Sequence, residues 1–398
     1  MSSCRQASPV WTACPATTHA RLWMTPLPAP WRELLTPALL IDLRAARQNI
    51  AAAIAVIGSP ERWRPHVKTA KVPEVMALYL DAGVHRFKCA TLREAEVLAA
   101  CGSADGGQAP TDILVAHHLF GPALARLGAI AEEHPSVRFS TLVESAGPVA
   151  AIPQGIGVFA DLDLGMNRTG LSVEDGAEIE SIARSAGAGK NGAFRGLHAY
   201  DGHMHHADPA VREREAHGCY DRLVKRCEAL AAAGHPPAEV ITSGTPSYPA
   251  ALSHSGLKRL PHRVSPGTVV YHDLRTRQQL PEHEIEFAAI VLARVASLPG
   301  QDLFTVDAGS KAIEAASPDL IAKALEWPNA VALRQSEEHT VFQVKDGPRP
   351  GRGDLVRLVP GHVCPTVNLA STCVLRDGDE LLGVAEVTAR GHSVAWRP

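Results

Sequence analysis

The sequence predicts an α/β protein in which a (β/α)₈ barrel is followed by a mainly antiparallel β domain. Three observations support this. Short apolar runs alternate with longer helical runs from Thr36 onward, and after Val264 strand-like runs separated by turns replace that alternation. The chain also has 398 residues, more than one typical hydrophobic core contains. We therefore expect an N-terminal arm over residues 1–35, partly disordered or joining the β domain, a barrel over 36–265 and a β domain over 266–398.

The first half repeats a strand pattern followed by a helix pattern. Ala38–Asp42 is predicted as a strand, an alanine-rich helix follows to Ile57, and Trp63–Val67 is the next strand. Pro73 begins a helix that Gly83 ends, as is typical of proline and glycine at helix boundaries. Further strands are predicted at Val84–Cys89, Asp112–Ala116, Arg138–Val143, Ile156–Leu164, Phe194–Tyr200 and Glu239–Ser243, with helices at Leu92–Cys101 and Val211–Ala233 between them. About eight such units form a barrel, and an open doubly wound sheet is the alternative.

The second half has the pattern of an antiparallel sheet. A hairpin is predicted where two strand-like runs flank Asp377-Gly378-Asp379. The predicted strands are Ile285–Ala296, Leu303–Asp307, Ala330–Arg334, Thr340–Val344, Asp354–Leu358, Val374–Arg376 and Leu381–Ala385.

Composition excludes several classes of protein. The net charge of −3 gives no indication of a nucleic-acid or anionic-membrane partner. No apolar run reaches the roughly 18 residues that span a bilayer. Eight cysteines without C-x-x-C pairs indicate reduced thiols, so we expect a cytoplasmic protein.

Several polar residues follow predicted strands, where a barrel carries its reactive groups. Lys68 follows Val67, and a desolvated lysine can form an imine with an aldehyde. The turns Ser243-Gly244-Thr245 and Gly267-Thr268 offer N–H and hydroxyl donors that suit a phosphate, although such turns are also common without a ligand.

A possible metal site lies in the second half. His362 and Cys364 are two residues apart, so an extended segment would place both side chains on one face. Imidazole and thiolate suit a borderline-soft ion such as zinc, and two ligands leave open positions. The alternative is a buried cysteine beside a histidine with a structural role. The histidines at 203, 205 and 206 are equally consistent with a site or a solvated loop.

Five motifs, taken together, resemble a known family of enzymes. They occur in order and are Arg64-Pro65-His66-Val67-Lys68-Thr69, Asp163-Leu164-Gly165-Met166-Asn167-Arg168-Thr169-Gly170, Asp307-Ala308-Gly309-Ser310-Lys311-Ala312, Glu338-His339 and His362-Val363-Cys364-Pro365-Thr366. This set is similar to the D-threonine aldolase and D-serine dehydratase family, which has the alanine-racemase type of fold and binds pyridoxal 5′-phosphate (PLP).

The resemblance implies a PLP-binding barrel, a following β domain and a homodimer with the active site near its interface. Lys68 matches the imine-forming lysine, Arg168 the arginine that faces the pyridine nitrogen, and Tyr200 an active-site tyrosine. The remaining implied cofactor contacts are His66, Ser243, Gly244, Thr245, Gly267 and Thr268. The implied ligands of a divalent metal are His362 and Cys364, and the thiolate favours Zn²⁺ over Mn²⁺ or Mg²⁺.

The implied substrates are D-amino acids with a β-hydroxyl group, such as D-threonine, D-phenylserine, D-3-hydroxyaspartate or D-serine. His206 has the spacing from Tyr200 of the base proposed in the aldolases, whereas Cys364 is the metal ligand associated with the dehydratases. We favour retro-aldol cleavage because His206 concerns proton transfer and Cys364 only metal softness. An amino-acid racemase, with Tyr271 as a second acid/base, and a non-catalytic PLP carrier are the remaining alternatives.

Overall fold

The computed structural model describes residues 28–104, 110–188, 193–206, 208–281, 283 and 285–394. Most of the predicted N-terminal arm therefore lies outside the described residues. The strands are β1 (Ala38–Asp42), β2 (Arg86–Cys89), β3 (Asp112–His118), β4 (Arg138–Val143), β5 (Gly157–Asp163), β6 (Leu171–Ser172), β7 (Phe194–Ala199), β8 (Glu239–Thr242), β9 (His262–Val264), β10 (Ala289–Ser297), β11 (Leu303–Val306), β12 (Ala322–Ala324), β13 (Ala330–Gln335), β14 (Thr340–Val344), β15 (Leu355–Pro360), β16 (Thr372–Asp377) and β17 (Glu380–Glu386).

The helices of the described residues cover the parallel sheet and connect the two halves. The α-helices are α1 (Leu43–Ile57), α2 (Pro73–Asp81), α3 (Leu92–Ala104), α4 (Pro122–Glu133), α5 (Gly176–Ala188), α6 (Pro209–Ala232), α7 (Tyr248–Ser253), α8 (Leu274–Gln279) and α9 (Val363–Leu369). Short 3₁₀ helices lie at Ala29–Glu33, Pro60–Arg62, Gly147–Ala151, Leu257–Arg259 and Thr268–Val270. The predicted alternation of strands and helices is confirmed.

Seven parallel strands form a curled sheet in the order β2-β3-β4-β5-β7-β8-β9. The predicted strand at Trp63–Val67 is present only as two isolated parallel bridges, from Trp63 to Val264 and from His66 to Lys88. These bridges join β9 to β2, so the segment closes the curled sheet and the barrel is confirmed. The ladder is interrupted because Pro65 has no N–H group to donate.

The second sheet is mainly antiparallel and has the order β13-β14-β11-β10-β1-β16-β17, with β12 and β15 pairing beside it. The predicted hairpin is confirmed as β16 and β17. Strand β1 pairs antiparallel with β10 and parallel with β16, so it lies outside the parallel sheet, although its residues fall in the range predicted for the barrel. The end of the predicted arm also joins this half, since Trp31 is fully buried against it.

Asp42 links the second sheet to the first helix of the barrel. It ends β1 and caps α1, because its Oδ1 accepts a hydrogen bond from the Ala45 backbone N–H at 3.1 Å. Its Oδ2 lies 2.8 Å from the Arg376 guanidinium in β16. One buried carboxylate therefore holds the junction of a strand, a helix and a neighbouring strand.

A buried guanidinium occupies the interior of the barrel. Arg64 is fully buried, and its Nε and Nη2 donate to Glu239 at 2.6 and 2.9 Å, while Nη2 also donates to Asp112 at 2.9 Å. Nη1 donates to the Phe87 carbonyl at 3.0 Å. Burial opposes the charge on Arg64, but the two carboxylates outweigh it and raise the pKa of the guanidinium. The closing segment is thereby fastened to β2, β3 and β8.

We expect Arg64→Gln to lower the free energy of unfolding by about 3–5 kcal/mol, because it leaves two buried carboxylates without their partner. Urea denaturation measures this difference. Arg184→Gln is the matched control, since Arg184 pairs with Glu180 on the exposed surface of α5, and it should change the stability by less than about 1 kcal/mol. Equal effects of the two substitutions would show that the buried network is not a principal stabilising contact.

Candidate active site

A cleft lies at the carboxyl ends of the parallel strands, where a segment of the second half covers them. Its lining is largely polar and combines residues from both halves of the chain. The lining residues are His66, Lys68, Thr69, Lys88, Tyr200, Gly202, His205, Gly244, Thr245, Pro246, Ser265, Gly267, Thr268, Asp273, Arg275, Thr276, Gln279, His362 and Cys364. Nine of the twelve residues predicted from sequence are among them, and the exceptions are Arg168, His206 and Ser243.

Lys68 directly follows the segment that closes the barrel, and its side chain lines the cleft. Its backbone N–H donates to His66 Nδ1 at 3.4 Å. Burial first, and then the positive charge of Lys68, lower the pKa of His66 well below its ordinary value, so the imidazole is neutral and can accept. The amine of Lys68 is thus presented to the cleft beside a neutral ring.

The turns predicted to bind phosphate lie together on one side of the cleft. Ser243 follows β8 with a left-handed φ of 65°, and its buried hydroxyl has no hydrogen-bond partner among the described residues. A Cβ atom on Gly267 would lie 2.5 Å from the His66 carbonyl, so only glycine allows this close approach. Thr268 N–H donates to Thr245 Oγ1 at 3.2 Å, which joins the two turns. The unpaired hydroxyl and the compact backbone fit a phosphate group.

Tyr200 packs between two glycines at the edge of the cleft. Cβ atoms on Gly202 and Gly244 would lie 2.3 and 3.1 Å from its ring carbons. The Arg168 guanidinium lies 4.9 Å from the Tyr200 ring centroid, in the geometry of a cation–π contact. Arg168 is exposed and does not line the cleft, so its contact with a pyridine nitrogen stays a prediction.

His362 and Cys364 are in contact, but the local structure differs from the expectation. The prediction of an extended segment is wrong, because His362 is the N-cap of α9 and Cys364 lies in its first turn. Burial opposes ionisation of Cys364, yet the hydrogen bond and charge of His362, together with the charge of Lys68, outweigh it and lower the thiol pKa. Thr69 Oγ1 lies 3.0 Å from Cys364 Sγ. An ionisable thiol beside an imidazole has the donor chemistry that a zinc-type ion requires.

Asp273 holds the start of α9 in place. Its Oδ2 accepts from the Val363 N–H at 2.9 Å, and its Oδ1 accepts from the Thr276 N–H at 2.7 Å as the N-cap of α8. The same carboxylate contributes, after Cys364, to the raised pKa of His362, although burial alone would lower that pKa. Among the residues that the structure describes, no group of three or more His, Cys, Asp or Glu side chains is arranged to hold a metal ion. A metal ion held at this pair would have His362 and Cys364 as its two protein ligands among the described residues.

The three histidines at 203, 205 and 206 lie in different surroundings. Both His205 and His206 are exposed, but His205 lines the cleft and His206 does not. His206 Nδ1 accepts a hydrogen bond from the Asp208 N–H at 3.1 Å. His203 approaches Gly165 instead, where an added Cβ would lie 3.4 Å from its Nε2. The structure therefore brings His205, and not the predicted His206, to the cleft.

Tyr271, the acid/base required by the racemase alternative, does not line the cleft. It is fully buried, and its hydroxyl donates to the Ala70 carbonyl at 2.8 Å. Burial raises its pKa well above the ordinary value. This hydroxyl is therefore already engaged in a hydrogen bond and does not face the cleft.

Lys88 is a lining residue that the sequence analysis missed. It is the third residue of β2 and 2% exposed, and burial is the first cause that lowers its pKa, to about 7. Nearby, His198 Nδ1 lies 2.7 Å from Asp161 Oδ1, and both residues are buried. The sequence feature that could have identified Lys88 was a lysine inside a short, predicted buried strand.

Two family models match consecutive parts of the chain. The model described as the N-terminal domain of alanine racemase matches residues 41–274, and the model of a putative serine dehydratase domain matches residues 288–375. The first match covers more than half of the chain. It contains all seven strands of the parallel sheet and the segment that closes it.

Similar proteins extend over nearly the whole chain. A D-threonine aldolase from Arthrobacter sp is 29% identical over 381 residues, which covers 92% of this chain and 95% of the relative. A D-threo-3-hydroxyaspartate dehydratase from Delftia sp. (strain HT23) is 28% identical over 368 residues, with coverages of 83% and 91%. The crystal structure of D-threonine aldolase from Filomicrobium marinum has a TM-score of 0.79 at 24% identity and covers 90% of this chain and 96% of that chain. This likeness shows the fold.

We expect Gly267→Ala to weaken PLP binding and to destabilise the protein by about 1–3 kcal/mol, because the added carbon displaces the His66 carbonyl next to Lys68. Absorbance titration with PLP and urea denaturation measure the two effects. Gly218→Ala in α6 is the control, since nothing lies within 4 Å of its added Cβ. Unchanged PLP affinity in Gly267→Ala would show that this turn does not contact the cofactor.

Proposed function

This chain belongs to the alanine racemase N-terminal domain family, and from that premise we propose that it is a PLP- and metal-dependent lyase of D-β-hydroxy-α-amino acids. The reaction we favour is retro-aldol cleavage to glycine and an aldehyde. One observation carries the proposal: Lys68 and the pair of His362 and Cys364 line the same cleft. A racemase or a PLP carrier has no use for such a pair.

The lining residues have separate roles in this proposal. Bound PLP would supply an aldehyde for covalent attachment and an electron sink next to the substrate α-carbon. Lys68 would hold it through the side-chain nitrogen. Ser243, Gly244, Thr245, Gly267 and Thr268 would bind its phosphate. Arg168 and Tyr200 would contact its ring.

The metal-binding pair would act on the substrate hydroxyl. His362 and Cys364 would hold a divalent ion, for which the thiolate favours Zn²⁺, and the ion would supply Lewis-acid chemistry. Arg275 lines the same side of the cleft and is a candidate to bind the substrate carboxylate. Together these residues would orient the β-hydroxyl away from Lys68 and exclude substrates that lack it.

A proton acceptor for the β-hydroxyl is needed in the aldolase reaction. We assign this role to His205 rather than to His206, because His205 lines the cleft with the metal pair. The proteins similar to this chain in sequence include both a D-threonine aldolase and a D-threo-3-hydroxyaspartate dehydratase. Dehydration is the second candidate, and Cys364 favours it, since the resemblance associates that ligand with dehydratases.

Two further expectations remain part of the proposal. Homodimer formation is supported by exposed apolar side chains on the strands of the second half, with Leu382 at 51% and Val384 at 73% exposed. A cytoplasmic location is supported by six unpaired cysteines among the described residues. No helix in the described part of the chain is both long and apolar enough to cross a membrane.

The holoenzyme should convert D-threonine to glycine and acetaldehyde and leave L-threonine unchanged. Lys68→Ala should abolish turnover and the visible absorbance of the lysine-bound cofactor, because the covalent attachment is lost. Amino-acid analysis and an aldehyde assay measure the products. Formation of a keto acid and ammonia without glycine would establish dehydration in place of cleavage.

Metal removal should abolish lyase turnover while PLP remains bound. After treatment with EDTA, we expect Zn²⁺ to restore the activity of the wild-type protein best. The activity of Cys364→Asp should be restored better by Mn²⁺ or Mg²⁺, because an oxygen ligand favours harder ions. Initial rates with each added metal measure this change. Cys101→Ser, at a thiol in the helix α3 that does not line the cleft, is the control. Full activity in EDTA would contradict a catalytic metal.

A further inference from the structure

Lys88 has no role in the reaction as described above, yet it faces the cleft. Its Nζ lies 5.3 Å from the centroid of the Tyr200 ring. The charged groups around it are the cations Lys68 and Arg168 and the anions Asp201 and Asp161. A buried amine in such a position is costly to keep charged, so its proton is more mobile than that of a surface lysine.

A histidine and a carboxylate continue from Lys88 into the barrel. Lys88 Nζ lies 3.4 Å from His198 Nε2, and His198 Nδ1 lies 2.7 Å from Asp161 Oδ1. Because Asp161 is ionised, it accepts the Nδ1 proton, and this leaves the Nε2 lone pair of His198 directed at Lys88. The pKa of His198 is lowered, first by burial and then by Lys88, so the ring is neutral and ready to accept.

The same carboxylate leads toward the surface. Asp161 Oδ2 lies 3.5 Å from His118 Nε2, which lies 4.0 Å from Glu144 Oε2. Within the described residues, Asp161 Oδ2 and His118 Nε2 are buried and have no hydrogen-bond partner. The Glu144 side chain is 50% exposed. Both contacts involve His118 Nε2, so rotation of the His118 ring between the two carboxylates would carry a proton between Asp161 and the surface.

We propose that Lys88 is a proton-transferring residue of the cleft and that His198, Asp161 and His118 connect it to Glu144 at the surface. This inference rests on the proposed function. When the Cα–Cβ bond breaks, its electron pair stays on the α-carbon, which must gain one proton to become glycine. The Lys88 ammonium donates that proton and becomes a neutral amine, which regains a proton from solvent in the cleft. In the reverse direction the ammonium passes a proton to His198 Nε2 while the His198 Nδ1 proton passes to Asp161. Atoms and charge balance without an added oxidant or reductant.

Burial, followed by the charge of Lys68, lowers the pKa of Lys88 to about 7, so both of its forms are populated near neutral pH. In the reverse direction the neutral amine removes an α-proton from bound glycine. Its population grows as the pH rises through about 7, so the rate of this removal should rise over the same interval.

The first experiment follows exchange of the α-protons of glycine with D₂O by NMR, using the PLP-loaded protein. Lys88→Gln, which keeps a donor for His198 but carries no exchangeable ammonium, should slow exchange by about 10²–10⁴-fold and remove the rise near pH 7. His198→Gln should also slow exchange, because Lys88 then loses its path. Exchange at the wild-type rate and pH profile in Lys88→Gln would overturn the proposal, as would an absence of exchange in the wild-type protein.

A structural role for Lys88 is tested by rescue. In Lys88→Ala, added ethylamine should restore at least part of the exchange rate, since a free amine can replace the missing one but cannot repair packing. Lys71→Gln is the matched control: Lys71 is also buried, but it pairs with Glu94 at 2.6 Å and does not line the cleft. Its exchange rate should match that of the wild type. If ethylamine fails to restore exchange in Lys88→Ala and Lys71→Gln slows exchange as much as Lys88→Gln does, Lys88 contributes only to stability.

A readout independent of turnover is the titration of Lys88 in the cofactor-free protein. After reductive methylation with ¹³C-formaldehyde, the Lys88 resonance, identified by its absence in Lys88→Gln, should titrate near pH 7 rather than near the roughly 10.4 of an ordinary lysine. A titration near the ordinary value would overturn the proposal. If D-threonine gives no glycine while glycine exchange still depends on Lys88, the proposed lyase function fails and the proton path remains.

Discussion

The closure of the barrel by a single extended segment is the constraint on which the active cleft depends. Trp63–Val67 joins the two edge strands through isolated bridges, and Lys68 is the next residue. Bridges this sparse would leave the segment mobile, but Arg64 fastens it from within by hydrogen bonds to Glu239 and Asp112. The position of the Lys68 amine therefore depends on a buried ion network that begins four residues earlier in the same segment.

The charge distribution of the cleft follows from this closure. Lys68, Lys88 and Arg275 line the cleft, and Asp273 is the carboxylate among its lining residues. The carboxylates Asp161 and Asp201 act on Lys88 as well. An excess of cations in a partly buried cleft attracts anions. The phosphate of PLP and the carboxylate of an amino acid are both anionic, so the cleft is electrostatically complementary to the cofactor and the substrate proposed for it.

Sequence patterns predicted the positions of the strands and helices better than they predicted which strands pair. The bounds of β4 and the hairpin of β16 and β17 were predicted closely, because burial periodicity and turn residues are local properties. The pairing of β1 with β10 was not predictable, since the same apolar run fits either sheet. The helix that begins at Val363 was missed because an alternating pattern over three residues does not distinguish a strand from the first turn of a helix. The residues of the candidate site were predicted from the motifs, from turns at strand ends and from the family resemblance, whereas Lys88, which lies inside a strand and in none of the motifs, was missed.

The proposed metal ligands, His362 and Cys364, and the proposed cofactor lysine, Lys68, come from different halves of the chain, so the geometry between them depends on how the halves are joined. Thr69, next to Lys68, contacts Cys364, and Asp273 holds both α8 and the backbone of Val363. Because these contacts are direct, a movement of the second half relative to the barrel would also move Cys364 relative to Lys68. A metal-dependent cleavage requires the hydroxyl-bearing carbon to lie between the ion and the cofactor, at a separation that neither half sets alone. The short contacts between the two halves are thus as necessary to the proposed reaction as the ligands themselves. They set the distance between the proposed metal ligands and Lys68, which the substrate must span.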